Sequence, residues 1–308
     1  MSNLLLYVIT VLVWGSTWLG IEFQLGVVDP EISVVYRYAI AAVLLFSWSL
    51  MRGLRLGFDW RAHSWFVLLG LLLFCLNYIL AYNAQVYITS ALCAIAFTNM
   101  VWMNIVLAKI FFGVRSGLNV LFGAALGIAG IVILFMPQIG EISFSDEVFF
   151  GSMLACLGAL VASFGNMASQ KAQLLKLPII QSNAWGMFYG AVLTGIYALV
   201  SGTKFTFDAS PGYVISLLYL AIFGSIIAFG AYLTLLGRIG AHKAGYAMVM
   251  FPVVALILSI KFEGLQLELS IVVGMILVIA GNVAVLKGTA RKRSTQPVAA
   301  EIALQEPD

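Results

Sequence analysis

Ten stretches of about twenty predominantly apolar residues, joined by short polar links, leave this chain few ways to fold. A helix needs about 20 such residues to cross the hydrocarbon core of a bilayer. The runs of that length are Leu4–Ile21, Ile32–Met51, Trp65–Tyr82, Ser90–Phe112, Leu118–Met136, Phe149–Gln170, Ile180–Ser201, Tyr213–Leu236, Ala244–Ile260 and Leu269–Leu286. Links such as Gly113–Gly117 part neighbours that would otherwise merge into helices too long for a bilayer. Of the 308 residues, 62% are hydrophobic and 9% are charged. A soluble domain carries about 25% charged residues, so this chain cannot cover a water-facing surface. Most of it is also too apolar to be disordered. Strands of a membrane barrel would alternate in polarity over about 10 residues, whereas Leu118–Met136 is apolar throughout. The first run lacks the basic start of a cleaved signal, and Trp14 and Trp18 stand where small residues would be needed. It is read as a permanent helix. The expected fold is an all-α, multi-pass integral membrane protein with ten transmembrane helices.

Orientation follows from the sixteen basic residues, which concentrate in cytoplasmic loops. With the N-terminus inside, twelve fall in cytoplasmic connections: Arg52, Arg55, Arg61, Arg115, Lys171, Lys176, Arg238, Lys243, Lys287, Arg291, Lys292 and Arg293. Only Lys204 and Lys261 fall outside, and Arg37 and Lys109 lie within spans. The outer links are acidic, with Asp29, Glu31, Glu141, Asp146, Glu147, Asp208 and Glu268. Both termini are therefore expected in the cytoplasm.

The chain also repeats. A shift of 151 residues carries Gly123 onto Gly274, Leu126 onto Leu277, Val132 onto Val283, and Ile128-Ala129-Gly130 onto Ile279-Ala280-Gly281. Phe111 and Leu118 meet Phe262 and Leu269 in the same register. Five spans make each unit, and five is odd, so the second unit must be inserted upside down. The units are expected at residues 1–140 and 147–288, followed by a disordered cytoplasmic tail at 289–308. Inverted repeats are a construction principle of secondary transporters, whose substrate site lies near the midplane between the halves.

Trp14-Gly15-Ser16 in the first span, Arg37 early in the second, and a Phe-Phe-Gly or Phe-Glu-Gly element before a Gly-rich last helix in each half carry a resemblance. Over Leu4–Lys287 the chain resembles an EamA-type member of the drug/metabolite transporter superfamily. That family typically carries a Glu in both pre-helix elements; here the second half has Glu263, and the first offers Phe112-Gly113. The resemblance implies a ten-helix transporter of the bacterial inner membrane. Such proteins most often export small metabolites or toxic compounds, driven by an ion gradient or by exchange.

Arg37 is the most informative single residue. A charged side chain facing lipid at mid-membrane costs about 2.5–3.5 kcal/mol or more, so Arg37 must face the bundle or water. Glu22 and Arg37 flank the Asp29-Pro30 turn at similar distances, and an ion pair between them is expected. The pair either locks the hairpin or takes part in transport, with Arg37 holding a carboxylate and Glu22 taking up a proton. Glu22 and Glu263 are the candidate ion-coupling carboxylates.

Aromatic, amide and hydroxyl side chains recur at helical spacing, where i, i+3 and i+4 share a face. The candidate substrate-binding set is Trp14, Ser16, Trp18, Arg37, Asn77, Tyr78, Tyr82, Asn99, Trp102, Ser163, Asn166, Tyr232 and Tyr246. Rings with polar tips suit a pocket for an organic molecule, and equally suit helix packing and interface belts. Asn104 is a further amide at membrane depth, and Pro252 interrupts the ninth span. Gly123, Gly127, Gly130, Gly274 and Gly281 are read as close-packing positions.

No span contains Asp, neither His63 nor His242 is mid-span, and no phosphate-binding Gly-x-x-x-x-Gly-Lys motif occurs. An enzyme is therefore not expected, and nothing resembles the selectivity rings of a channel. Cys75, Cys93 and Cys156 sit in apolar runs, so neither a metal site nor any other cofactor is expected. The expected partners are a small-molecule substrate, membrane lipid and protons as a coupling ion, with no nucleic acid. The chain is expected as a monomer or homodimer. Export of an amino acid, related metabolite or amphipathic drug is the favoured reading. Import, facilitated passage and lipid flipping remain open on the same fold.

Overall fold

The computed structural model describes residues 1–114, 116–134, 146–262 and 269–293, and the described residues are helical without strands. Helix α1 (Asn3–Glu22) starts at Ser2, whose hydroxyl accepts the Leu5 N–H at 3.2 Å. Such a cap satisfies one of the free amides of a helix start. Helix α2 (Pro30–Met51) opens on a proline, which has no N–H to leave unpaired. Helix α3 (Trp60–Tyr87) is capped by Asp59. Helix α4 has two parts, Ser90–Thr98 and Met100–Phe112, parted at Asn99 and closed by left-handed Gly113. Helix α5 follows at Leu118–Leu134. The later helices are α6 (Asp146–Leu174), α7 (Ile179–Val200), α8 (Pro211–Ile239), α9 (Ala247–Phe262) and α10 (Leu269–Arg293), with a short turn at Ala241–Ala244 before α9. Helix α10 continues through Arg293, into the expected tail.

By length and composition, seven described helices can cross a membrane, namely α1, α2, α3, α4, α6, α7 and α8. Shorter apolar stretches lie in α5 at Leu118–Ile133 and in α10 at Val272–Gly281. Helices α3 and α6 run beyond the apolar segments read from sequence at both ends. Asp59 sets the start of α3 and lies well outside its apolar run. Glu263, Arg115, Glu141, Glu268 and residues 294–308 lie outside the described residues.

The surface is apolar and the interior partly polar. Leu12, Val43, Ile196 and Ile215 are exposed, while Thr10, Gln24, Ser33, Asn104, Ser163 and Thr194 are buried. That inversion of the usual soluble pattern places the lipid-facing side chains on the outside.

Helix pairing follows one rule. Helices α2 and α7 pack together, as do α5 and α10; α1 packs on α8 and α9, and α6 on α3 and α4. Exchanging the first five helices for the second five leaves these pairs unchanged. The α5–α10 contact is a glycine seam. A Cβ on Gly130 would lie 2.8 Å from the Val278 backbone N, and one on Gly281 would lie 2.7 Å from the Gly123 carbonyl O. The close-packing role read for these glycines holds.

Helices α3 and α8 each widen into a π-helical segment, at Gly70–Leu76 and Leu220–Ile227. The shift of 151 residues carries the first segment inside the second. Such segments are rare and concentrate at functional sites, because they rotate side chains and free carbonyls within a helix.

Candidate functional site

Three helices from each half, α1, α3 and α4 with α6, α8 and α9, surround a narrow cavity of about 60 Å³. Pockets for small organic molecules measure about 300–1,000 Å³, so these walls must part before such a molecule fits. Helix α1 contributes Trp14, Thr17, Trp18 and Ile21, and α3 contributes Leu73, Asn77, Tyr78 and Ala81. Phe97 and Met100 come from α4, Ala162 and Asn166 from α6, Phe229 and Tyr232 from α8, and Met248 and Phe251 from α9.

The wall is a fixed aromatic lattice. Trp14 meets Phe229 at 4.8 Å, Tyr232 at 4.9 Å and Phe251 at 5.8 Å between ring centroids. Trp18 meets Phe97 edge-on at 5.1 Å. The indole N–H of Trp14 donates to the Gly224 carbonyl at 2.9 Å. Gly224 lies in the π segment of α8, so that segment aims one wall of the cavity.

Polar groups interrupt the wall at few points. Asn166 Nδ2 donates to Asn104 Oδ1 at 3.3 Å, and Asn77 Nδ2 reaches the Leu73 carbonyl at 3.4 Å. Asn77 Oδ1 is buried without a hydrogen-bond partner, while Tyr232 OH faces the Asn104 and Asn166 amides. Buried polar groups are normally paired. Asn77 lines the cavity, so an entering molecule can pair with its Oδ1.

Arg37 lies beside this cavity, fully buried at 1% exposure. Its Nε donates to Ser225 Oγ at 2.9 Å and its Nη1 to Tyr82 OH at 3.3 Å. The guanidinium carbon stands 4.6 Å from the Tyr78 ring centroid and 5.5 Å from that of Tyr38. Hydroxyls and rings, not a carboxylate, are its partners. The expected Glu22–Arg37 ion pair does not form, and Glu22 is exposed. Helix α1 ends at Glu22, an irregular link follows, and α2 starts at Pro30. Arg37 is thus about two turns, roughly 10 Å, inside its helix, while Glu22 sits at the very end of its own. Equal sequence distance from the turn did not mean equal depth.

Six of the predicted residues line the cavity: Trp14, Trp18, Asn77, Tyr78, Asn166 and Tyr232. Arg37 and Tyr82 stand just behind it. The other five lie elsewhere. Ser16 Oγ bonds the Leu12 and Val13 carbonyls and Tyr219 OH. Ser163 Oγ turns back to the Ala159 carbonyl. Asn99 sits exposed at the break in α4. Trp102 packs with Tyr246 in a separate cluster, and Tyr246 OH donates to the Val120 carbonyl. Glu263 is outside the described residues. Sequence reasoning missed Gly224 and Ser225, because a π segment leaves no mark on an apolar run. It also passed over Phe97, Met100, Met248 and Phe251, which composition cannot separate from lipid-facing residues.

Comparison with known proteins agrees with this architecture. The EamA-like transporter family matches residues 1–136 and 149–287. Relatives include the uncharacterized transporter YoaV of Bacillus subtilis, 25% identical over 91% of this chain and 96% of its own length. The uncharacterized inner membrane transporter YedA of Escherichia coli K12 is 27% identical over 82% of this chain and 80% of its own. Protein PagO of Salmonella typhimurium is 21% identical over 95% and 97%. A crystal structure with 18% sequence identity has the same fold, with a TM-score of 0.78 over 94% of this chain and 98% of that one. A match to both halves, with membrane-length apolar helices around one central cavity, leads to a single conclusion: this chain is a multi-pass membrane protein of the EamA-like transporter family.

Proposed function

We propose that the protein is a secondary transporter that exports small organic metabolites, such as amino acids, or amphipathic drugs across the bacterial inner membrane by alternating access. In this reading ten spans form two inverted five-helix units, and both termini face the cytoplasm. The halves rock about the central cavity, opening it first inward and then outward. A gradient or exchange supplies the energy. One observation carries the reading: the cavity is built by three helices from each half, so any relative motion of the halves must reshape it. Its aromatic walls and few polar points fit a molecule with an apolar body.

The test is an untargeted comparison of metabolites in the medium of cells with and without the protein, repeated for Trp18→Ala. At least one metabolite should accumulate outside wild-type cells and fall toward the empty-cell level in the variant. Both proteins must first be found inserted at equal amounts. Unchanged medium with the wild-type protein inserted rejects export. Unchanged transport in Trp18→Ala rejects the cavity as the substrate site.

A further inference from the structure

Among the described residues, Arg37 is the only buried Lys, Arg, Asp or Glu side chain. Two of the three guanidinium nitrogens are hydrogen-bonded. Nε is taken by Ser225 Oγ, which spends its own proton on the Leu220 carbonyl at 3.0 Å. Nη1 meets Tyr82 OH. Nη2 has no hydrogen-bond partner.

Nη2 is buried against the bare backbone of Gly224. A Cβ built on Gly224 would lie 3.0 Å from Arg37 Nη2 and 2.9 Å from Thr17 Cγ2, so both atoms crowd the bare backbone there. Thr17 and Tyr78 each line the cavity. The Tyr78 ring, part of the cavity lining, also lies 4.6 Å from the guanidinium carbon. Arg37 itself does not line the cavity, so a ligand reaches Nη2 only when the Thr17 and Tyr78 side chains give way.

We propose that Arg37 is the anion subsite of the central cavity, and that it takes the carboxylate of a small organic acid whose apolar body lies against Trp18 and Phe229. This inference rests on the reading of the cavity as the substrate site. An unneutralised guanidinium in a low-dielectric interior favours an anion, and its planar N–H groups match a carboxylate. The charge count selects among anions. A single cation balances a monocarboxylate, whereas a phosphate dianion would need a second cation, and no other Arg or Lys lines the cavity. The aromatic walls suit the rest of such a molecule and not a strongly hydrated ion.

The experiment uses the purified full chain and three pairs of probes: benzoate, 3-phenylpropionate and hexanoate, each with its methyl ester. Binding is measured by calorimetry for wild type, Arg37→Gln, Arg37→Lys and Trp18→Ala. At least one acid should bind wild type ten-fold or more tighter than its ester. Arg37→Gln should abolish that preference while leaving ester affinity within about two-fold. Arg37→Lys, which keeps the charge and loses the planar fork, should retain only part of it. Should Arg37→Gln fail to fold, the Arg37→Lys arm decides alone, and an undiminished preference there overturns the proposal. Equal binding of acids and esters to wild type also overturns it. If the esters bind and Trp18→Ala weakens acid and ester alike, the cavity reading survives that failure. If no probe binds, or Trp18→Ala changes nothing, the cavity reading fails and the anion subsite with it.

Discussion

The Nε of Arg37 in α2 donates to Ser225 Oγ in α8 across 2.9 Å, joining the second helix of one half to the π segment of the other. This bond replaces the hairpin ion pair that the sequence led us to expect. It also ties the buried cation to the segment whose Gly224 carbonyl holds Trp14.

The first prediction separates that bond from the ion pair. Glu22→Gln should leave thermal stability in detergent unchanged, within about 0.5 kcal/mol, as for an exposed side chain. Ser225→Ala should cost about 1.5–3 kcal/mol, the usual worth of a hydrogen bond to a charged group. Arg37→Gln leaves no buried carboxylate stranded, so its cost should stay below the about 3–5 kcal/mol of a broken buried ion pair. A large loss in Glu22→Gln, matched by Arg37→Gln, would restore the pair.

The second concerns the α5–α10 seam. Gly130→Ala would drive a methyl group onto the Val278 N and the Gly274 O, 2.8 and 2.9 Å away. Backbone atoms cannot swing aside, so overpacking should cost about 1–3 kcal/mol. Gly230 in α8 has nothing within 4 Å of its Cβ position. Gly230→Ala should be neutral or stabilising by up to about 1 kcal/mol, the helix preference of Ala over Gly. Melting temperatures of the two variants in one detergent check the contrast.

The third concerns acid stability. His242 lies in the turn between α8 and α9, 8% exposed, with Nδ1 unpaired. Burial, then the charge of Lys243, push its imidazole from 6.5 down to about 4. The unfolded chain therefore takes up the proton first. Stability is intact above about pH 6.5 and is lost as pH falls toward 4, by up to about 3 kcal/mol. His242→Gln should show a shallower fall in melting temperature between pH 7 and 4. Parallel profiles would assign the acid sensitivity to other groups.

The fourth is topological. With Cys75, Cys93 and Cys156 replaced by Ala, single cysteines are placed at Gly57 and Ala209, both exposed in links between helices. The Ala209→Cys protein should react with an impermeant thiol reagent on intact cells. The Gly57→Cys protein should react only after the cells are opened. The reverse pattern would invert the proposed orientation.

The sequence alone determined the class of this protein. Apolar runs of membrane length and a 9% charged content admit only helices packed in lipid, because every backbone amide must be satisfied within the chain. The Gly130 and Gly281 register was equally legible, since only a bare backbone permits so close a helix approach. Six cavity residues were readable for a related reason: a Trp or Asn at mid-membrane depth has few places to put its polar atoms except inward. The tertiary structure alone decided what Arg37 touches. Its partners Ser225 and Tyr82 lie 188 and 45 residues away, and no local spacing rule reaches that far. It also decided which tryptophans matter. Trp18 and Trp102 sit in equally apolar runs, yet Trp18 faces the cavity and Trp102 a separate cluster. Helix rotation makes that choice, and rotation follows from the neighbouring helices and from π segments that turn the register within a helix.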